Sequence, residues 1–276
     1  MTFCDKELRR LQLMEVDMLK EFIRICENLH LKYYVLGGTL LGSVRHNGFI
    51  PWDDDIDVGM PRADFQKFLE KAPEMLPEGL FLQTLWNEPE YYKNIAKIRN
   101  VNTTFIEKEC RYQNIRHGIF IDVFALDNYP TGVWKKKWYK IRRKILDARI
   151  GKSFSWDNES RWYKALVKNI LCFFEPNVKK AVMNREKMFS SFAYSGLIAN
   201  FCGQWGEKEI VPEEWYGEGC ELSFEGITVK APKAYDKWLT QVYGDYMKLP
   251  PKEKQVSHHD TSIIDLDKPY TEYLAH

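Results

Sequence analysis

VLGGTLLGSVRHNGFIPWDDDIDV, residues Val35 to Val58, is the stretch around which the rest of the chain is arranged. An apolar run from Tyr33 to Leu36 stops at Gly37-Gly38, and a mixed segment continues to Arg45. A loop marked by Gly48 and Pro51 then delivers four carboxylates in five positions, Asp53, Asp54, Asp55 and Asp57. Strands are poor in Asp and like charges this close repel, so packing alone does not account for the cluster. A counter-cation does. In a strand over Asp55 to Val58, residues two apart share a face, so Asp55 and Asp57 project together while Ile56 and Val58 turn to the core. Such a pair suits a hard divalent cation, Mg2+ above all, which favours carboxylate oxygen and keeps waters for a phosphate-bearing substrate. Asp53 and Asp54 read as loop residues or supports of that pair. Gly37-Gly38 lets backbone N–H groups approach a bulky anion, although two glycines are also an ordinary turn.

On the N-terminal side, Leu8, Leu11, Met18, Phe22, Ile25 and Leu29 recur at helical steps and predict an amphipathic helix. On the C-terminal side, Pro61 opens a helix with Ala63, Phe65, Phe68 and Leu69 inward, ending near Pro73. Leu80 to Leu85 and Ile95 to Arg99 read as strands. In the second, Lys97 and Arg99 share a face, which fits either phosphate oxygens or a solvated sheet edge. Gly118 to Asp127 is an almost wholly apolar strand, consistent with burial on both faces and interrupted by Asp122. A buried carboxylate needs a partner, either an Arg or Lys or the same metal as Asp55 and Asp57. Asp127 reads as a turn residue. Later, Leu222 to Val229 predicts a hairpin turning at Glu225-Gly226, and Ala234 to Tyr243 a last helix closed by Gly244. The polar tail contains an adjacent pair, His258-His259.

Between these parts the composition shifts. Residues 131–190 hold 16 Lys and Arg against 5 Asp and Glu, in a chain whose net charge is +1. Trp134, Trp138, Trp156 and Trp162 interleave with the cations, and the spacings Ile141, Ile145, Ala148 and Trp162, Leu166, Ile170 predict two or three helices with one basic face. That face suits an anionic membrane surface or a polyanionic acceptor; a plainly solvated face is the bland alternative. No nucleic-acid recognition motif accompanies the charge.

The 276 residues, 45% hydrophobic and 14% aromatic, suffice for a real core. No run approaches the length of a membrane span and the N-terminus has no signal-peptide core, so the expected location is cytoplasmic, with peripheral contact at the inner face of the membrane allowed. The six cysteines show no metal-ligand spacing and read as free thiols, several of them buried.

Taken together, Gly37-Gly38-Thr39 to Gly42, Arg45-His46, Gly48 to Asp57, Gly118 to Phe124 and Tyr243 to Pro251 followed by His258 resemble the LicD family of bacterial phosphocholine transferases, relatives of fukutin-type ribitol-phosphate transferases. The likeness covers residues 33 to about 130 and 205 to 260. It implies an α/β (α+β) fold of the nucleotidyltransferase type: a small mixed sheet flanked by helices, with the basic helical region as an insertion. The implied organisation is a catalytic core over 1–130, the basic region over 131–200 and a C-terminal part over 201–276 that completes core and site. It also implies Mg2+ or Mn2+ on Asp55, Asp57 and Asp122, with Asp122 as ligand or as base. Gly37, Gly38 and Thr39 would cradle phosphate; Arg45, Lys97, Arg99 and His258 are further candidates for phosphate contacts. Trp52 is a candidate wall for the choline cation, and the loop His46 to Trp52 would shape the donor pocket. The implied partners are CDP-choline or another CDP-alcohol as donor and a glycan or lipid-linked glycan as acceptor. The implied reaction moves phosphocholine to a hydroxyl of a lipopolysaccharide or teichoic-acid precursor and releases CMP. Nucleotidyl transfer from an NTP and a non-catalytic nucleotide-binding module are the alternatives.

Overall fold

A mixed sheet runs through the molecule in the order β1-β2-β6-β4-β3, with β7 beside the far end of β6 and β8 outside it. The computed structural model describes residues 5–154, 169–170, 172–257 and 259–273. Helix α1 (Asp5–Leu29) leads into the short strand β1 (Tyr34–Val35), helix α2 (Gly37–His46), strand β2 (Asp57–Pro61) and helix α3 (Arg62–Lys71). Strands β3 (Leu80–Gln83), β4 (Ala96–Asn100), β5 (Thr104–Glu107) and β6 (Ile119–Asn128) follow. Helices α4 (Val133–Ile150) and α5 (Val178–Phe189) pack on one another, ahead of β7 (Leu197–Asn200) and β8 (Ile210–Pro212). The chain closes with the hairpin β9 (Cys220–Phe224) and β10 (Ile227–Ala231), helix α6 (Tyr235–Tyr243) and β11 (Thr261–Asp265), which pairs with β5. This is an α+β arrangement, a mixed sheet flanked by helices.

The amphipathic pattern of α1 is realised as expected. Leu11, Met18, Phe22 and Ile25 are buried, and the Phe22 ring meets Tyr33 and Phe68 edge-on at 5.2 Å. The apolar run of β6 is buried along its length: β2 lies on one edge and β4, then β7, on the other, and helices α1 and α3 pack against it. The β9–β10 hairpin turns at Glu225 (φ 50) and Gly226 (φ 78), two successive left-handed residues that match the twist of the strands.

Several details differ from the sequence expectation. Strand β2 starts at Asp57, so Asp53 to Ile56 approach it as irregular chain. Strand β4 is internal, not an edge, which turns Lys97 and Arg99 inward. Asp127 belongs to β6 rather than to a turn. Arg62 grips both its oxygens, with Nε 2.7 Å from Oδ1, and also reaches Glu186 of α5. The buried face of α4 is Tyr139, Leu146 and Ile150, whereas Ile141 is 53% exposed. Of the helix expected through Trp162, Leu166 and Ile170, Ile170 is helical, while Trp162 and Leu166 lie outside the described residues, as do Trp156 and Cys4; the other five cysteines are free. Among the described residues no helix is long and apolar enough to cross a membrane.

Arg62 neutralises two carboxylates from two elements with little water access, at 16% side-chain exposure. Arg62→Met is therefore expected to destabilise the protein by roughly 3–5 kcal/mol, because it strands two buried charges. Urea unfolding checks this, and a loss below about 1 kcal/mol, the size of a surface ion pair, would contradict it.

Candidate active site

The sheet register places the first pair. Strands β2 and β6 run parallel with Asp57 opposite Asp122, and in-register residues on neighbouring strands share a face. The two acids thus stand side by side although 65 positions apart. Asp57 is fixed at the start of its strand by its own N–H, which donates to Thr39 Oγ1 at 2.8 Å.

Helix α2 begins directly against these acids. A Cβ on Gly38 would lie 2.2 Å from Asp53 Oδ2, and one on Gly37, whose φ is +51, would lie 2.6 Å from Asp57 Oδ2. Both glycines are thus required by the close approach of the carboxylates themselves. Negative charge at a helix N-terminus, where first-turn N–H groups lack intrahelical partners, is favourable. Gln12 of α1 supports the approach by donating to Asp53 O at 2.9 Å.

Asp122 has a cation beside it. Lys97, directly opposite on β4, places Nζ 2.9 Å from Asp122 Oδ1 and 3.8 Å from Glu107 Oε1, over the Phe120 ring at 3.1 Å. Burial pushes the Lys97 ammonium down, and Asp122 and Glu107 pull it part of the way back. Burial alone would raise Glu107, but Lys93, Lys97 and Arg99 outweigh it and hold the carboxyl well below its ordinary value. Arg99 has no exposed surface and donates to Gln83 Oε1, the Gly118 carbonyl and Glu107 Oε2 at 2.6, 2.7 and 3.1 Å. In this arrangement Lys97 holds Asp122 and Arg99 braces the sheet, and both side chains are fully buried.

Asp54, expected only as a support, is held by the C-terminal segment. Ser257 Oγ donates to its Oδ2 at 2.5 Å and His259 Nδ1 lies 3.2 Å from its Oδ1, while His259 Nε2 stands 4.0 Å from Asp55 Oδ2. The imidazole meets Phe105 and Phe120 edge-on. Burial would lower its pKa, but the Asp54 hydrogen bond and the charges of Asp55 and Asp54 outweigh that and raise it to about 9. The stabilisation it provides is then fully present below about pH 6.5 and is lost as the pH rises through about 9. His259→Gln is expected to cost on the order of 2 kcal/mol near neutrality and almost nothing at pH 10. Denaturant midpoints across that range check this; a gap that does not narrow with pH would contradict it. His258, the histidine singled out from the sequence, lies outside the described residues.

The cluster as a whole is over-supplied with negative charge. Burial is the largest cause raising Asp53, Asp55 and Asp57 above the ordinary carboxylate value. Their neighbouring acids add to it, and His259 opposes it at Asp53 and Asp55. Glu15 of α1, 2% exposed, is raised well above its ordinary value by burial and then by Asp55, Asp54, Asp53 and Asp122. A buried, oxygen-rich, mutually repelling set of this kind fits a hard divalent cation. Among the described residues, the ligand atoms within 4.8 Å of one another belong to Asp54, Asp55 and His259; of the expected set Asp55, Asp57 and Asp122, only Asp55 is part of that group.

The remaining candidates are spread more widely. Arg45 sits in the last turn of α2, about 12 Å along the helix from Gly37 at 1.5 Å per residue, and donates to the Tyr246 carbonyl at 2.8 Å. Trp52 is half-buried against the core. In the loop ahead of it, Phe49 and Ile50 are buried and Phe49 N–H is held by Glu225, so those residues anchor the loop. A cavity of about 690 Å3 opens elsewhere, beside Tyr34, Leu126 and Tyr216. Chemistry rather than volume marks the acid cluster. Glu15 and Glu107 were not singled out from the sequence, and His259 was marked there only as one of an adjacent histidine pair.

Residues 30–154 match the family model described as LicD/FKTN/FKRP, nucleotidyltransferase domain. The chain is 33% identical over 271 residues to the lipopolysaccharide cholinephosphotransferase LicD of Haemophilus influenzae, covering 91% of this chain and 96% of that protein. A shorter similarity, 40% identity over 42 residues, links 15% of this chain to 8% of the human ribitol 5-phosphate transferase FKRP.

Proposed function

This chain belongs to the LicD family, and from that premise we propose that it transfers phosphocholine, or a related phospho-alcohol, from a CDP-activated donor to a hydroxyl of a cell-surface glycan. The acceptor is taken to be a lipopolysaccharide or teichoic-acid precursor, by analogy with the substrate named for the Haemophilus relative. In this reaction the acceptor oxygen bonds to the phosphorus that carries the alcohol. The bond from that phosphorus to the oxygen of CMP breaks, CMP leaves, and the acceptor proton passes to a carboxylate. The observation that carries the reading is the in-register pair Asp57–Asp122 set beside Asp53, Asp55 and the Gly37-Gly38 turn.

Each part of the chain has a task on this reading. Gly37 and Gly38 keep the first turn of α2 bare, so that its N–H groups face charge without an intervening side chain. Lys97 holds Asp122 in place; from there Asp122 serves as ligand or receives the acceptor proton. His259 and Ser257 orient Asp54 and so fix the irregular segment that carries Asp53 and Asp55. Mg2+ or Mn2+ held by Asp55, Asp57 and Asp122 would neutralise the donor diphosphate and the departing CMP.

The test uses the purified chain with CDP-choline, CDP-ribitol and CDP-glycerol, each with and without Mg2+. The preferred donor is expected to raise the melting temperature only with the metal, by the equivalent of about 2.7 kcal/mol at 100 times its dissociation constant, and to release CMP when glycan acceptor is added. Pyrophosphate release from an NTP would reassign the site to nucleotidyl transfer. Absence of any metal-dependent nucleotide effect would leave only a binding module.

A further inference from the structure

Helix α4 has two apolar faces, and only one is used inside the molecule. Tyr139, Leu146 and Ile150 are buried, with the Tyr139 ring against Phe192 and Phe201. Trp134, Trp138 and Ile141 follow one another at four- and three-residue steps on a different face, at 80%, 53% and 53% exposure. A folded chain gains nothing by holding two tryptophans and an isoleucine in water at helical spacing. The first twelve residues of α4, Val133 to Lys144, contain seven Lys and Arg and no acid. At 3.6 residues per turn, Lys137 and Lys144 flank the apolar stripe on one side and Lys135 and Arg142 on the other. Among the described residues no acidic side chain lies within 4.0 Å of the Lys135, Lys136 or Lys137 ammonium, although Glu207, paired with Lys140, also feels Lys136, and the Lys137 ammonium lies 5.6 Å from the Trp134 ring. Arg142 binds Glu175, next to which Phe173 and Phe174 stand 82% and 63% exposed, so the apolar surface continues beside the helix.

We propose that this outward face of α4 is a peripheral docking surface for a bilayer rich in anionic phospholipid. Tryptophan is the side chain best suited to the headgroup level, and flanking lysines bury their stems while keeping the ammonium among phosphates. An apolar stripe between two cationic borders is the pattern of a helix lying in that interface. Charge selects among the possible occupants. A second copy of the same face would set Lys135, Lys137 and Lys144, unpaired among the described residues, against their like, whereas an anionic bilayer complements both the stripe and its borders. The surface is formed by α4, away from the acid cluster, so the proposal stands or falls separately from the donor chemistry.

Co-sedimentation with vesicles tests it, using phosphatidylcholine alone or mixed with phosphatidylglycerol, at low and high ionic strength. The wild-type chain is expected to sediment with the mixed vesicles at low salt and to be released by salt or by omission of phosphatidylglycerol. Lys135→Gln/Lys136→Gln/Lys137→Gln should weaken binding roughly 100-fold, and Trp134→Ala/Trp138→Ala at least about tenfold. Every substituted side chain is exposed, so both variants should keep the wild-type circular dichroism and the wild-type CMP release with a water-soluble acceptor. Binding indifferent to anionic lipid would overturn the proposal. So would binding that survives the tryptophan changes intact, which would point to a soluble polyanion attracted by charge alone.

Discussion

Asp57→Asn is expected to abolish transfer, by about a thousandfold or more, in a protein that is no less stable than the wild type. The two effects have one origin. Asp57 shares its face with Asp122, and burial, followed by Asp55, Asp122 and Asp53, raises its pKa well above the ordinary carboxylate value. A group whose folded pKa is raised binds its proton more tightly in the folded state. The metal-free protein therefore loses stability as the pH rises from about 4 through that higher folded value. Asparagine keeps the shape, removes the charge and flattens that decline. It also removes the ligand oxygen on which the proposed reaction depends. The paired measurement is CMP release with Mg2+ present, together with urea unfolding at pH 5 and pH 8 without added metal. Wild-type turnover in the variant would remove Asp57 from the chemistry. A variant that lost activity and stability together would show Asp57 to be a structural residue.

Gly38→Ala should be nearly as damaging from the other side of the cluster. The added methyl would sit 2.2 Å from Asp53 Oδ2, well inside contact distance, so either the carboxylate or the first turn of α2 must move. A displacement near 1 Å in an aligned site is worth about a hundredfold in kcat/KM. The double variant Gly38→Ala/Asp53→Ala separates the causes, because it removes the clash without restoring the carboxylate. The single variant is expected to be both less stable and less active. The double variant should recover the melting temperature but not the turnover. Recovery of both would mean that Asp53 acts only as a steric neighbour of the helix.

Much of this site was legible because it obeys short-range rules. Glycines ahead of an acidic run, and a lone acid in an apolar strand, mark Gly37, Gly38, Asp57 and Asp122 through local pattern. Other parts escaped for identifiable reasons. The alternation rule that paired Asp55 with Asp57 assumes regular strand, and the chain from Asp53 to Ile56 is irregular, so the separate tasks of Asp53 and Asp54 could not be assigned by counting. Lys97 and Arg99 alternate as edge residues would, but β6 and β3 enclose β4 and make them buried counter-charges. His259 reaches Asp54 only because β11 pairs with β5 across more than 150 residues, and nothing in a polar tail announces that pairing. In α4 the apolar spacing was visible, but periodicity does not tell which of two apolar faces turns inward.

The pairing of β11 with β5 also has a bearing on biogenesis. A nascent chain has all strands of the principal sheet once residue 212 has left the ribosome, yet Ser257 and His259 reach Asp54 only when the segment up to Asp265 has emerged. Until then the acid run lacks its imidazole counter-charge, so the reactive centre matures after the scaffold that bears it. A chain stopped between Gly244 and Ser257 would thus keep every strand of the principal sheet and helix α6, while its acid run lacked the Ser257 and His259 contacts.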